Sequence, residues 1–520
     1  MHRAYRLLLL RALLLFGGAI SVGACVIFHG VNVEPIRWST ESVTVRSPVK
    51  AHLLDGSTVV FRRGVTIASG AVRGAGARYN LVLADTRTVQ SVPLDSVVGM
   101  ESFRDYIRSG ETIIVSTLAT GVAALVAGVL AVAIFGSCPT VYADSAGTRI
   151  LQAETFSYSI APLFEARDVD RLRLTTGTDG QVRLEIRNEA AETHYSNHLG
   201  LLEIRHAPDE FALPDASGQP VVVRAPLAPA SAVDRAGRNV RRVLSEADDA
   251  AFRSDPRTLA GVRADDLEDH IDLAFARPTG ADSAALTLRL RNSLLNTVLL
   301  YDGMLGERGA RALDWIGVDL DRIGPAVQLG AWYAGRMGLQ VDVRDGAVWR
   351  TVTRLRDAGP IAWRDVAAVI PVPPGDSLRV RLSFVADNWR IDRAALAAAI
   401  RRPAPRSIPV ARLVDAAGSP DTAALASVRD ADHRYLQTSP GQRFTAVFEA
   451  GHVARGEVRT FFLESQGYYI EWIRPGWIAS GRDTAAFEPS DAALFTALRR
   501  WRVAQDSFER RFASTRIPTR

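Results

Sequence analysis

The chain has 520 residues, 47% of them hydrophobic and 23% charged, with 40 Gly, 25 Pro and 2 Cys. Such figures exclude intrinsic disorder, a disulfide scaffold and a collagen-like fibre, and the length allows roughly three or four domains with cores of their own. The formal charge of +5 is not gathered on any one module, and Arg3, Arg6 and Arg11 fall in a leader-like stretch, so no nucleic-acid partner is expected.

Residues 1–28 combine a basic start, a leucine-rich run and small residues ahead of a cysteine, the pattern of a secretory signal segment. The sequence Val22-Gly23-Ala24-Cys25 resembles the bacterial lipobox, in which a peptidase cuts before a cysteine that then carries lipid. That resemblance implies a signal segment over 1–25, lipidation at Cys25, and a membrane-anchored place in the bacterial cell envelope, periplasmic or surface-exposed. The polar tether usual after such a cysteine is replaced by Val26, Ile27 and Phe28.

Residues 38–105 read as a small β-barrel. Strand-like residues 49–54 and 57–61 flank Asp55-Gly56, a pair that accepts the positive φ angles of a tight hairpin turn. Further strands are expected at 79–84 and 88–92, with Gly70, Gly74 and Gly76 in the loop before them. The hairpin and the closing run Val92-Pro93-Leu94-Asp95-Ser96-Val97-Val98 together resemble the small SH3-like or Sm-like barrels of envelope proteins.

Residues 112–135 contain no charge and are rich in Ala, Gly, Val and Thr. They are long enough to span a bilayer. Small residues four apart, as at Thr120/Ala124/Gly128, allow close helix approach in lipid. This segment is therefore expected to be an apolar membrane-type helix, with the membrane as its partner and self-association or other envelope proteins as further contacts.

From 138 to 480 the chain reads as a large β-sandwich-like region of two modules, their boundary near 226–285, a stretch that reads as a surface excursion. Runs at 182–188, 286–292 and 378–384 alternate apolar and polar residues, so each is expected to be a half-buried strand with a watered charged face. The first two share an Asn followed by a Thr five residues on, the mark of an internal duplication. Helices are expected at 310–320, 326–337 and 490–513. The last has Ser490 as N-cap and Leu494, Leu498, Trp501, Phe508 and Phe512 on one face. The fold class is thus mainly β: barrel, apolar helix, sandwich region and a C-terminal amphipathic helix. The pieces Ser137-Cys138-Pro139-Thr140-Val141-Tyr142, Ile186-Arg187-Asn188-Glu189 and Gly467-Tyr468-Tyr469-Ile470-Glu471-Trp472 resemble a set of uncharacterised bacterial envelope proteins, a resemblance that brings no catalytic residue with it.

Candidate sites are few. Gly375-Asp376-Ser377-Leu378 with Asp430-Ala431-Asp432-His433 matches the words of GDSL hydrolases. The Ser leads into a strand rather than a helix, and too little chain separates it from the His for that fold. No catalytic residue is assigned. His194 and His198 stand four apart without a third ligand, and are expected to be exposed on a strand or loop. No zinc-spaced Cys pair or Gly-rich phosphate loop occurs, so neither metal nor cofactor is expected. Phe461, Tyr468, Tyr469, Trp472 and Trp477 could form a sugar-stacking platform. The leading function is a structural or interaction role without catalysis; carbohydrate binding through the 461–477 aromatics is the alternative.

Overall fold

Period-two alternation becomes antiparallel sheet through most of the chain. The computed structural model describes residues 29–35, 42–46, 49–53, 58–79, 86–107, 138–145, 148–160, 164–174, 177, 179–300, 323–398, 400–432, 434–453, 456–471, 490–514 and 516–519. Cys25, residues 112–135 and 310–320, His433, Trp472 and Trp477 lie outside them. Among the described residues no helix is long and apolar enough to cross a membrane.

The first sheet holds β1 (His29–Pro35), β2 (Val43–Val45), β3 (Val49–Leu53), β4 (Thr58–Phe61), β5 (Val65–Ala68), β6 (Ala71–Tyr79), β7 (Thr86–Pro93) and β8 (Val97–Ile107). Their order is β1-β8-β3-β4-β6-β5-β2, with β7 also on β6. Among the described residues no pairing closes this path, so it is an open half-barrel over a core that includes Val49, Val59, Phe61 and Val72. Gly74 and Gly76 are not in a loop but inside β6. A Cβ on Gly76 would stand 2.7 Å from the Phe61 ring; the glycines admit that ring where the β6–β7 register shifts between Arg73 and Gly76.

A first sandwich uses β9 (Thr140–Ser145), β10 (Thr148–Glu154), β11 (Ala166–Arg171), β12 (Gln181–Arg187), β13 (Glu192–His206), β25 (Arg406–Val414), β26 (Leu436–Thr438), β27 (Arg443–Glu449) and β28 (Val458–Glu471). The order is β10-β9-β12-β27-β25-β13-β28-β11, with β26 on β13. Strand β25 pairs with β13 at residues 406–409 and with β27 from Val410 onward, across a register shift between Val410 and Arg412. The sheet folds over there, so Leu184, Ile186 and Phe448 of one layer meet Leu199, Leu201, Phe461 and Leu463 of the other.

Everything between β13 and β25 is an insertion. The hairpin β14 (Glu210–Pro214) and β15 (Pro220–Arg224) pairs with β24 (Ile400–Arg401) to form its neck. Beyond it lies a second sandwich. One layer is β16 (Ser231–Asp234), β17 (Glu268–Ala276), β22 (Ser377–Val385), β19 (Leu339–Asp345) and β20 (Val348–Leu355), in that order; the other is β21 (Arg364–Pro371), β18 (Ser283–Asn292) and β23 (Trp389–Ala397). Residues 226–285 are therefore not a surface excursion. Ile271, Leu273 and Phe275 of β17 alternate into the core against Leu286, Leu288 and Leu290 of β18.

Two further expectations change. The polar faces of β12 and β18 are open to water only in part: Arg183 is exposed, but Glu185 and Arg289 are buried, held by Arg187 and Arg443 in one case and by Asp392 and Asp249 in the other. The Asn-ended runs also part ways. Asn188 leads into β13, whereas Asn292 leads into the short helix Leu295–Val298, and their strands belong to different sheets. Topology gives no duplication here.

Helix Ile323–Met337 carries Pro325 in its first turn, where a missing N–H costs no bond. Its last carbonyl, on Met337, accepts from Asn388 at 2.9 Å and Trp389 at 3.1 Å. The closing helix Asp491–Ser514 begins at Ser490, whose hydroxyl accepts from the Ala493 amide. It buries Leu494, Leu498, Trp501, Phe508 and Phe512. Trp501 Nε1 donates to Asp387 Oδ2 at 2.7 Å, pinning the helix to the inserted sandwich.

Candidate binding cavity at the seam of the two sandwiches

Strand β10 ends at Glu154, where the first sandwich meets the loop that follows β20. Burial of this end is nearly complete, leaving Glu154 3% exposed. Its Oε2 accepts from the backbone amides of Ile361 at 2.8 Å and Ala362 at 3.3 Å. The Gly359 φ of +75° and a would-be Cβ 2.5 Å from the Glu154 carboxyl explain why glycine stands opposite it. The same seam is sewn by Arg364 with Asp168 and Asp170, and by Asp365 with Arg171 at 2.9 Å and Arg173 at 2.8 Å.

Beside Glu154 opens a cavity of about 270 Å³. Tyr158, Phe164 and Tyr469 contribute its walls from the first sandwich, Asn292, Asn296 and Asp357 from the insertion, and Tyr333 from helix Ile323–Met337. Asn292 Oδ1 is taken by the Ala358 amide at 2.7 Å, and Asn296 Nδ2 donates to Asp357 Oδ2 at 2.7 Å. The second polar atom of each side chain has no partner. Glu154 Oε1, Ser157 Oγ, Asn292 Nδ2, Asn296 Oδ1 and Asp357 Oδ1 are all buried without a hydrogen bond, and all belong to residues lining this cavity. Buried polar groups are paired as a rule because each orphan costs about 1–3 kcal/mol. Five such atoms belong to residues lining this one cavity.

Burial also acts on the two carboxyls. Burial pushes the Glu154 carboxyl up to about 8, and the charge of Asp357 adds to the effect. Burial likewise pushes Asp357 to about 7, against the opposing bond from Asn296. Near neutral pH Glu154 therefore stays mostly protonated and Asp357 about half so, in a lining that is otherwise mainly apolar, with Ile160, Phe164, Leu329 and Met337, and that also includes Arg356; no cluster able to hold a metal occurs among the described residues.

The raised Glu154 carboxyl sets a pH signature. Between its ordinary value near 4.5 and about 8, the folded state keeps a proton that the unfolded chain has released. Stability therefore falls as pH rises through that window and levels off above it. Glu154→Gln keeps the oxygen for Ile361 and Ala362 but cannot ionise. Thermal melts should show the variant gaining on the parent from about pH 5 to about pH 8; parallel curves would refute a protonated Glu154.

Of the described aromatic residues expected to form a platform, Phe461, Tyr468 and Tyr469, only Tyr469 reaches this cavity, with its hydroxyl donating to Ser157 O at 3.3 Å. Phe461 is a core residue under the Arg459 guanidinium, and Tyr468 is buried, stacked on Tyr195 at 4.7 Å. Alternation along β28 sends Tyr468 and Tyr469 to opposite faces, so these rings share no surface. The two histidines separate as well. His194 is fully buried with Nε2 2.7 Å from Glu192, correcting the expectation of exposure. A bulge between Ser196 and His198 carries His198 to Arg429 O at 3.1 Å. Ser377 is exposed at the start of β22, opposite Ala276.

No protein-family model matches the chain, and no curated protein does. Among solved structures, the C-terminal CBM6 of LamC, a marine laminarinase from Zobellia galactanivorans, is 10% identical, covering 38% of this chain and 98% of that one at a TM-score of 0.14. A carbohydrate-binding module of Cellvibrio mixtus lichenase 5A in complex with cellotriose is 6% identical, covering 40% and 97% at 0.14. An α-xylosidase from Xanthomonas citri is 10% identical, covering 83% of this chain and 38% of its own length at 0.16. Overlaps at this level establish neither fold nor ligand.

Proposed function

We propose that this chain is a binding protein for a neutral, hydroxyl-rich ligand, a saccharide, received in the seam cavity, and that it serves a binding rather than a catalytic role at the bacterial cell envelope, attached through lipid at Cys25. The observation that carries the ligand class is the set of five unpaired polar atoms around the cavity. They offer both donors and acceptors, as sugar hydroxyls require, and the tyrosine rings among them offer faces for a pyranose ring. The volume stands near the lower end of ordinary small-molecule pockets of about 300–1,000 Å³, which suits one ring. The two raised carboxyls give the walls no strong charge to draw an ion of either sign.

The test is a glycan array probed with the detergent-solubilised full chain, followed by calorimetry on the best saccharide. Asn296→Leu removes an unpaired acceptor from a residue lining the cavity and should weaken binding at least tenfold, about 1.4 kcal/mol, in a protein that still melts cooperatively. Unchanged affinity would remove the cavity as the site. Binding lost instead on Trp472→Ala would move it to the 461–477 aromatics.

A further inference from the structure

A second cavity of about 290 Å³ lies on the same seam, and Tyr158 and Arg356 line both. Its other walls include Asp168, Arg364 and the turn at 215–218. Arg356 apart, the charges there are compensated: Arg364 pairs with Asp168 and Asp170, Asp215 with Arg402 at 2.9 Å, and Arg167 with Glu464. Besides Arg356, what remains on the walls is backbone and neutral side-chain hydrogen-bonding capacity, at Tyr158 and Ser217 among others. The partition is slight. Tyr158 is held by its hydroxyl, which donates to Arg167 O at 2.8 Å, and the Arg356 guanidinium stands 5.8 Å over its ring. Arg356 is exposed and has no carboxylate within ion-pair distance among the described residues, so it can swing aside at little cost.

We infer that the two cavities are adjacent subsites of one cleft, and that the ligand is an oligosaccharide of two or more units crossing Tyr158. This rests on the saccharide reading above and adds the length of the chain bound. Two spaces of nearly equal volume on either side of an aromatic ring suit a repeating unit, with the ring stacking against the sugar at the junction.

The experiment uses the full chain on an array that presents each linkage at one, two, three and four units. Binding should strengthen at least tenfold from one unit to two. In Ala216→Trp an exposed residue at the second position of the 215–218 turn places an indole in the second cavity only. This variant should hold the two-unit ligand no better than the one-unit ligand, with one-unit binding and the melting temperature as in the parent. Equal affinity for one and two units in the parent, or a length dependence untouched by Ala216→Trp, overturns the two-subsite cleft while leaving the single cavity standing. Failure of every saccharide at every length overturns both.

Discussion

Arg364→Met is expected to cost about 3–5 kcal/mol of stability at pH 8 and far less at pH 5. Arg364 is the cation between Asp168 and Asp170 at the seam, both buried. Burial already pushes Asp170 up to about 7 with Arg364 opposing that rise. Without the guanidinium two carboxylates face each other in a low dielectric, and they escape only by taking up protons. The deficit should therefore grow with pH, read as urea midpoints at the two pH values. Adding Asp168→Asn and Asp170→Asn to the Met variant should recover part of the loss. A deficit independent of pH would mean that packing, not charge, is what Arg364 supplies.

Trp501→Ala should cost a similar amount, about 3–5 kcal/mol. The indole is fully buried, lies 6.2 Å from the Phe508 ring, and donates to Asp387, which Arg390 Nη1 and the Ser254 amide also hold. Trp501→Phe keeps most of the apolar area and gives up the N–H bond, so it should cost about 1–2 kcal/mol. Thermal melts rank the two. Limited proteolysis should cut the closing helix first in the Ala variant; an unchanged cleavage pattern would show that the helix is held elsewhere.

The closing helix was legible because its information is local: an apolar residue every three or four positions and a serine in front of them suffice to give both the element and its buried face. The mainly β character followed from alternation in the same way. What alternation could not say is what covers the other face. Glu185 and Arg289 look like solvent residues in sequence, and only the arrival of Arg443 and Asp392 from distant strands makes them interior. The cavity was illegible for a related reason. Glu154, Asn292, Asn296 and Asp357 lie far apart in the chain and carry no spacing motif; an insertion folding back on its host brings them together. Tyr468 and Tyr469 were conspicuous as neighbours in sequence, yet adjacency in β28 sends them to opposite faces.

The nesting of one sandwich inside the other also sets an order of assembly. Strand β13 pairs along its length with β28, yet the whole insertion is synthesised between them. Closing a flexible loop of about 200 residues would cost about 5 kcal/mol in chain entropy. Folded first, the insertion presents its two ends together, with Glu210 and Arg401 2.8 Å apart, so the host closes across a short rigid bridge. Until residues 458–471 have been made, however, β13 is a long unpaired edge of the kind that recruits other chains. A product that stops before residue 458 therefore leaves the β28 edge of β13 open from Glu192 to His206.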